Sequence, residues 1–77
     1  MNQLDILMML YEKTTGRSIT LKADTTFEEM KTDDFEIVDF LMSVEEYYGF
    51  AFQQDEMLNV RSIQDVMNMI NKSMQED

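Results

Sequence analysis

The stretch Met30-Lys31-Thr32-Asp33-Asp34-Phe35-Glu36-Ile37-Val38-Asp39-Phe40-Leu41-Met42-Ser43-Val44-Glu45-Glu46-Tyr47-Tyr48-Gly49-Phe50 decides how the chain folds. Asp33 is a good helix N-cap, and Glu36 three residues later has the spacing of a reciprocal capping partner. Gly49 supplies a C-terminal stop, because glycine enters the left-handed conformation that ends a helix without steric cost. A helix is therefore predicted from Asp33 or Asp34 to near Tyr48. Phe35, Val38, Leu41 or Met42, and then Glu45 mark one side of it. Ile37, Phe40, Leu41, Val44 and Tyr48 mark another. This apolar sector is wider than one core-facing stripe requires. Some of Ile37, Val38, Leu41 and Met42 are therefore expected to stay in solvent.

Two further helices read outward from this one. Leu4, Leu7, Met8 and Tyr11 recur at helical spacing, with Ile6 and Leu10 widening the stripe and Gly16 suiting the end. Near the C-terminus, Ser62 and Asp65 have capping-box spacing and precede Ile63, Val66, Met67 and Ile70, with Met74 as an extension of the stripe. The polar tail from Asn71 to Asp77 is expected to fray. A short turn of helix fits around Asp55 to Asn59. The alternations Ser18-Ile19-Thr20-Leu21 and Phe50-Ala51-Phe52 have strand-like period, but two fragments make at most one marginal pair. They read as extended loops whose apolar residues dock on the helices. The result is an all-α domain, a small bundle of three longer helices and one short one.

Composition bounds the function. Seventy-seven residues make one domain, 1–77. With neither Cys nor His in the chain, thiolate zinc sites, cysteine nucleophiles and the usual general base near neutral pH are excluded. Sixteen acids against six bases give a net charge of −10, which opposes binding to a phosphate backbone and favours partners with basic surfaces. The acids cluster: no Lys or Arg lies between Thr32 and Val60, an interval that holds Asp33, Asp34, Glu36, Asp39, Glu45, Glu46, Asp55 and Glu56. Such a face can be merely solvated. Acids beside surplus apolar residues instead fit a docking surface, since a charged rim around apolar anchors is the usual anatomy of an interface. The N-terminus lacks a basic region, and its longest apolar run, Ile6 to Tyr11, is too short for a signal core or a membrane span. A cytoplasmic monomer is expected.

The Met30–Phe50 segment resembles the central segment of acyl carrier proteins, which typically reads Leu-Gly-x-Asp-Ser-Leu-x-x-Val-Glu-Leu-x-x-x-Leu-Glu-Glu-x-Phe. The match runs through Asp33, Phe35 for Leu, Val38, Asp39 for Glu, Phe40 for Leu, Val44 for Leu, Glu45, Glu46 and Tyr48 for Phe. Phe27 resembles the aromatic of the family's first loop, and Ser62-Ile63 resembles the Thr-Val that opens its last helix. The resemblance implies a four-helix bundle whose second helix docks on basic patches of biosynthetic enzymes, in fatty-acid or polyketide synthesis. It makes Asp33, Glu36, Asp39, Glu45 and Glu46 recognition acids, and Ile37 and Met42 exposed apolar contacts.

One departure alters the expected function. In the family the serine after the Asp carries a phosphopantetheine arm through a phosphodiester, and here that position is Asp34. Arm attachment needs a hydroxyl that forms a stable phosphoester. A carboxylate would give a mixed acyl phosphate, which hydrolyses. Ser18, Ser43, Ser62 and Ser73 do not follow an Asp at a helix start, and the family's glycine before the motif is Lys31. Three readings follow: a family member that lost its cargo and kept its fold, one whose Asp34 charge mimics the phosphodiester, or a true carrier in which Asp34 is an altered serine or attachment lies elsewhere. No phosphopantetheine cofactor is expected on Asp34. A reading from another class is an acidic decoy of a nucleic-acid-binding surface.

Other constellations are weak. Asp33-Asp34-x-Glu36 is the one run that suggests a hard cation, but no stretch matches an EF-hand loop, and no metal site is expected. Paired carboxylates without a pocket, nucleophile or His do not make an enzyme. Of the nine methionines, Met8, Met30 and Met67 fall on core stripes, and Met42 is the one expected outside.

Overall fold

The computed structural model describes residues 1–75 and contains four helices: α1 (Gln3–Thr15), α2 (Asp34–Tyr48), α3 (Gln54–Leu58) and α4 (Ile63–Gln75). Each boundary has a local cause. The Asn2 side chain accepts from the Asp5 N–H at 2.9 Å and opens α1. Gly16, at φ 75°, closes α1 by donating to the Glu12 carbonyl at 2.8 Å. The same device ends α2: Gly49, at φ 82°, donates to the Glu45 carbonyl at 2.8 Å. At the start of α4, Ser62 Oγ accepts from the Asp65 N–H at 3.2 Å while Asp65 Oδ2 accepts from the Ser62 N–H at 3.2 Å.

α1 and α2 form the main helix pair, and α4 completes the core. Leu7, Leu10 and Tyr11 face in from α1, Phe40, Leu41 and Val44 from α2, and Ile63, Val66, Met69 and Ile70 from α4. Phe40 is fully buried, with edge-to-face contacts to Tyr11 (ring centroids 5.6 Å apart) and Phe27 (6.0 Å). Such pairs add to the stabilisation from burying the rings themselves.

The extended segments become docked loops. Leu21 and Phe52 are buried, while Ile19 and Phe50 pack partly against the core. Among the described residues the sole β-type pairing is an isolated antiparallel bridge between Thr26 and Ser62, with Phe27 N–H donating to the Arg61 carbonyl and Ile63 N–H to the Thr25 carbonyl. It fixes the long first loop to the start of α4 and seats Phe27 over Phe40.

Of the wide apolar sector of α2, Leu41 is buried with Phe40 and Val44, whereas Val38 and Met42 stay in solvent. Two expectations need correction. On α4, Met69 is a core residue, Met67 is half-buried and Met74 is exposed. Asn71 to Gln75 continue the helix instead of fraying; Glu76 and Asp77 lie outside the described residues. No helix among the described residues is long and apolar enough to cross a membrane.

Candidate functional site: the two faces of α2

The core direction of α2 is set by Phe40, Leu41 and Val44. At about 100° per residue, the opposite face carries Phe35, Val38, Asp39, Met42 and Glu46. Their exposure agrees: Phe35 is 85% exposed, Met42 55% and Val38 44%, and Asp39 and Glu46 are exposed as well. Three large apolar side chains therefore stand in water beside two carboxylates on one helix. Leu58, on α3, is 78% exposed near the same end. Asp34, Ile37 and Val38 line an open groove of about 210 Å³ with Met57, Leu58 and Val60.

The predicted recognition residues fall into two groups. Asp34, Asp39, Met42 and Glu46 are exposed on the surface of α2. Asp33 is also exposed, but its Oδ1 accepts from the Glu36 N–H at 2.8 Å. The other three are drawn inward. Glu36 Oε1 accepts from the Asp33 N–H at 3.1 Å and from Arg17 at 2.9 Å, so its charge is spent on the cap and an ion pair. Glu45 Oε2 accepts from the Phe52 N–H at 2.6 Å and secures the loop after α2. Ile37 is half-buried and packs on the core. Glu36, Glu45 and Ile37 are thus not free contacts, because each already has a partner within the chain.

The N-terminal end of α2 is clamped. Arg17 donates to the Met30 carbonyl (3.1 Å), to Tyr11 Oη (3.1 Å) and to Glu36. The Tyr11 and Thr32 hydroxyls share a 2.6 Å hydrogen bond in the interior. Lys31 has a positive φ of 56°, a conformation that suits glycine. Here the sequence motif had placed the family's glycine.

Neither Phe35 nor Leu58 was selected from the sequence as a contact residue. The signal for Phe35 was present: once Phe40 and Val44 are assigned inward, Phe35 must point out. For Leu58 no periodic signal exists in a five-residue helix. Among the described residues no three acidic side chains converge to hold a metal ion.

A four-helix domain with a long first loop, a short third helix and an acidic, apolar-studded second helix is an acyl-carrier-type fold. The crystal structure of an acyl carrier protein from Thermotoga maritima superposes with a TM-score of 0.86, covering 92% of this chain and 85% of that one at 18% identity. In sequence the chain is 27% identical over 56 residues to the acyl carrier protein of Coprothermobacter proteolyticus, spanning 73% of this chain and 67% of the relative. It is 26% identical over 68 residues to that of Rickettsia typhi, spanning 87% and 79%. No protein-family model matches. The chain thus has the fold of an acyl carrier protein and is similar in sequence to acyl carrier proteins over most of its length.

Proposed function

We propose that this chain is a cytoplasmic, monomeric interaction module of the acyl carrier family that docks through the outward face of α2 on a basic surface of a biosynthetic enzyme, without a phosphopantetheine arm. The observation that carries the docking reading is Phe35, Val38 and Met42 in solvent beside Asp39 and Glu46. Exposed apolar groups of this size contribute nothing to the fold and gain only when a partner covers them. The interval Thr32 to Val60 contributes no base of its own. Its acids repel a second copy of this face and attract a cationic one. Arg17 and Lys72, which come from outside the interval, pair with Glu36 and Glu56, leaving Asp34, Asp39 and Glu46 to the partner.

The arm does not fit the residues present. Asp34, the first residue of α2, offers a carboxylate where attachment needs a hydroxyl. The nearest hydroxyl in sequence, Thr32, is buried and bonded to Tyr11. Ser43 lies in the middle of α2 and Ser62 caps α4. Asp34 nevertheless keeps a negative charge at the helix N-terminus, where the helix dipole favours one. A partner that reads this end electrostatically meets a charge of the same sign as a phosphodiester.

Intact-mass measurement after incubation with a phosphopantetheinyl transferase and coenzyme A tests the reading. The unaltered chain should keep its mass, and Asp34→Ser should gain the arm. A gain in the unaltered chain would sink the armless reading; no gain in either would count against docking on carrier-reading enzymes.

A further inference from the structure

Sulfur chemistry in this chain is confined to its nine methionines, since it has no cysteine. Their exposure differs sharply. Met30 and Met69 are 8% and 7% exposed, whereas Met42 is 55% exposed in the middle of the outward α2 face. Met42 also borders a shallow groove between α1 and α2 with Lys13, Asp39, Ser43 and Glu46. In that groove the Ser43 hydroxyl oxygen is buried and has no hydrogen-bond partner. A thioether offers it little, because sulfur is a weak acceptor. A sulfoxide oxygen is a strong acceptor, and Lys13, which lines the same groove, carries an ammonium donor.

We infer that Met42 is a modification site at which a hydroperoxide converts the apolar centre of the outward α2 face into a polar one. The Met42 sulfur lone pair attacks one peroxide oxygen. The S–O bond forms as the O–O bond breaks, and the departing oxygen takes up a proton. Met42 loses two electrons to become the sulfoxide, and the hydroperoxide is reduced to water or an alcohol. The product is polar and chiral, and a methionine sulfoxide reductase can reverse it. On the docking reading above, oxidation removes one of three apolar contacts from the middle of the stripe while leaving the acids in place. Met9 and Met74 are also open to solvent, but they lie on α1 and α4, so their oxidation leaves this face apolar.

The test treats the folded chain and its Met42→Leu variant with dilute hydrogen peroxide and maps each methionine by fragment mass. Met42 should oxidise on the order of tenfold faster than Met30 and Met69, as its exposure requires. Retention on a hydrophobic-interaction column should fall more on oxidation for the unaltered chain than for Met42→Leu. Oxidation no faster than at Met30 and Met69, or equal retention losses in the two chains, would overturn the inference. Affinity for a phosphopantetheinyl transferase before and after oxidation then reads the docking consequence. Absence of binding before oxidation would refute the docking reading alone, with mapping and retention still deciding the site.

Discussion

The two faces of α2 carry similar side chains in opposite surroundings. Phe40, Leu41 and Val44 are sealed among α1, α4 and the first loop; Phe35, Val38 and Met42 stand in water on the same fifteen-residue helix. The contrast separates what folds this domain from what it presents. Burial of the inner face stabilises the bundle, by roughly 1.5–3 kcal/mol per large side chain. The outer face yields no such gain, and on the proposed docking reading its large apolar groups are what a partner covers.

Substitutions on each face are the way to break that contrast. The largest effect is expected at Phe40→Ala, which removes the ring between Tyr11 and Phe27 and should cost about 3–5 kcal/mol in a denaturant titration. A cost under 1 kcal/mol would mean the core closes without it. Phe35→Ala should leave stability within about 0.5 kcal/mol. Its effect should fall on partner affinity instead, a loss of about 2 kcal/mol or roughly thirtyfold by calorimetry. A destabilised fold with intact binding would invert the assignment of the two faces.

Next comes the clamp that joins the faces at the start of α2. Tyr11→Phe leaves the buried Thr32 hydroxyl without its partner and removes an acceptor from Arg17, so a loss of about 1–3 kcal/mol is expected from thermal unfolding. Smaller and opposite in sign is Lys31→Gly. Relief of the positive φ should raise stability by about 1 kcal/mol, and a fall would show that the Lys31 side chain outweighs its backbone strain.

The smallest effect concerns Tyr48, at the end of α2. Burial and the neighbouring Tyr47 push its pKa above the ordinary 10.0, against a hydrogen bond with Gln3 that lowers it. A raised folded-state pKa means that the neutral phenol is the form the fold favours. Its contribution is complete below pH 10.0 and is lost as the pH rises through the folded-state value. Tyr48→Phe should therefore flatten part of the alkaline decline in stability, and an identical decline in both chains would remove Tyr48 as its source.

Much of this organisation is legible in the chain itself, for stated reasons. The limits of α2 follow from Asp33, Glu36 and Gly49, whose capping roles are local and read directly from spacing. Ser62 and Asp65 mark α4 in the same way. The family resemblance comes from the matched residues of the Met30–Phe50 segment, and the exposure of Met42 from the width of the apolar sector. What escaped was set by long-range partners. The capping role of Glu36 was readable but its ion pair was not, because Arg17, nineteen positions earlier in an aperiodic loop, gives no pattern that pairs them. Glu45 looked free because its acceptor role depends on where the chain turns after Gly49 to bring the Phe52 N–H back. Met69 was missed and Met74 misplaced because the exact direction in which α4 faces the core is set by the packed bundle.

The most direct check on the docking face is a backbone amide titration of the labelled chain with a phosphopantetheinyl transferase at low salt, where screening is weakest. The shifts should concentrate at Phe35, Val38, Asp39, Met42 and Glu46 and shrink as salt is raised. Shifts confined to the outer surfaces of α1 and α4, with α2 unmoved, would contradict it.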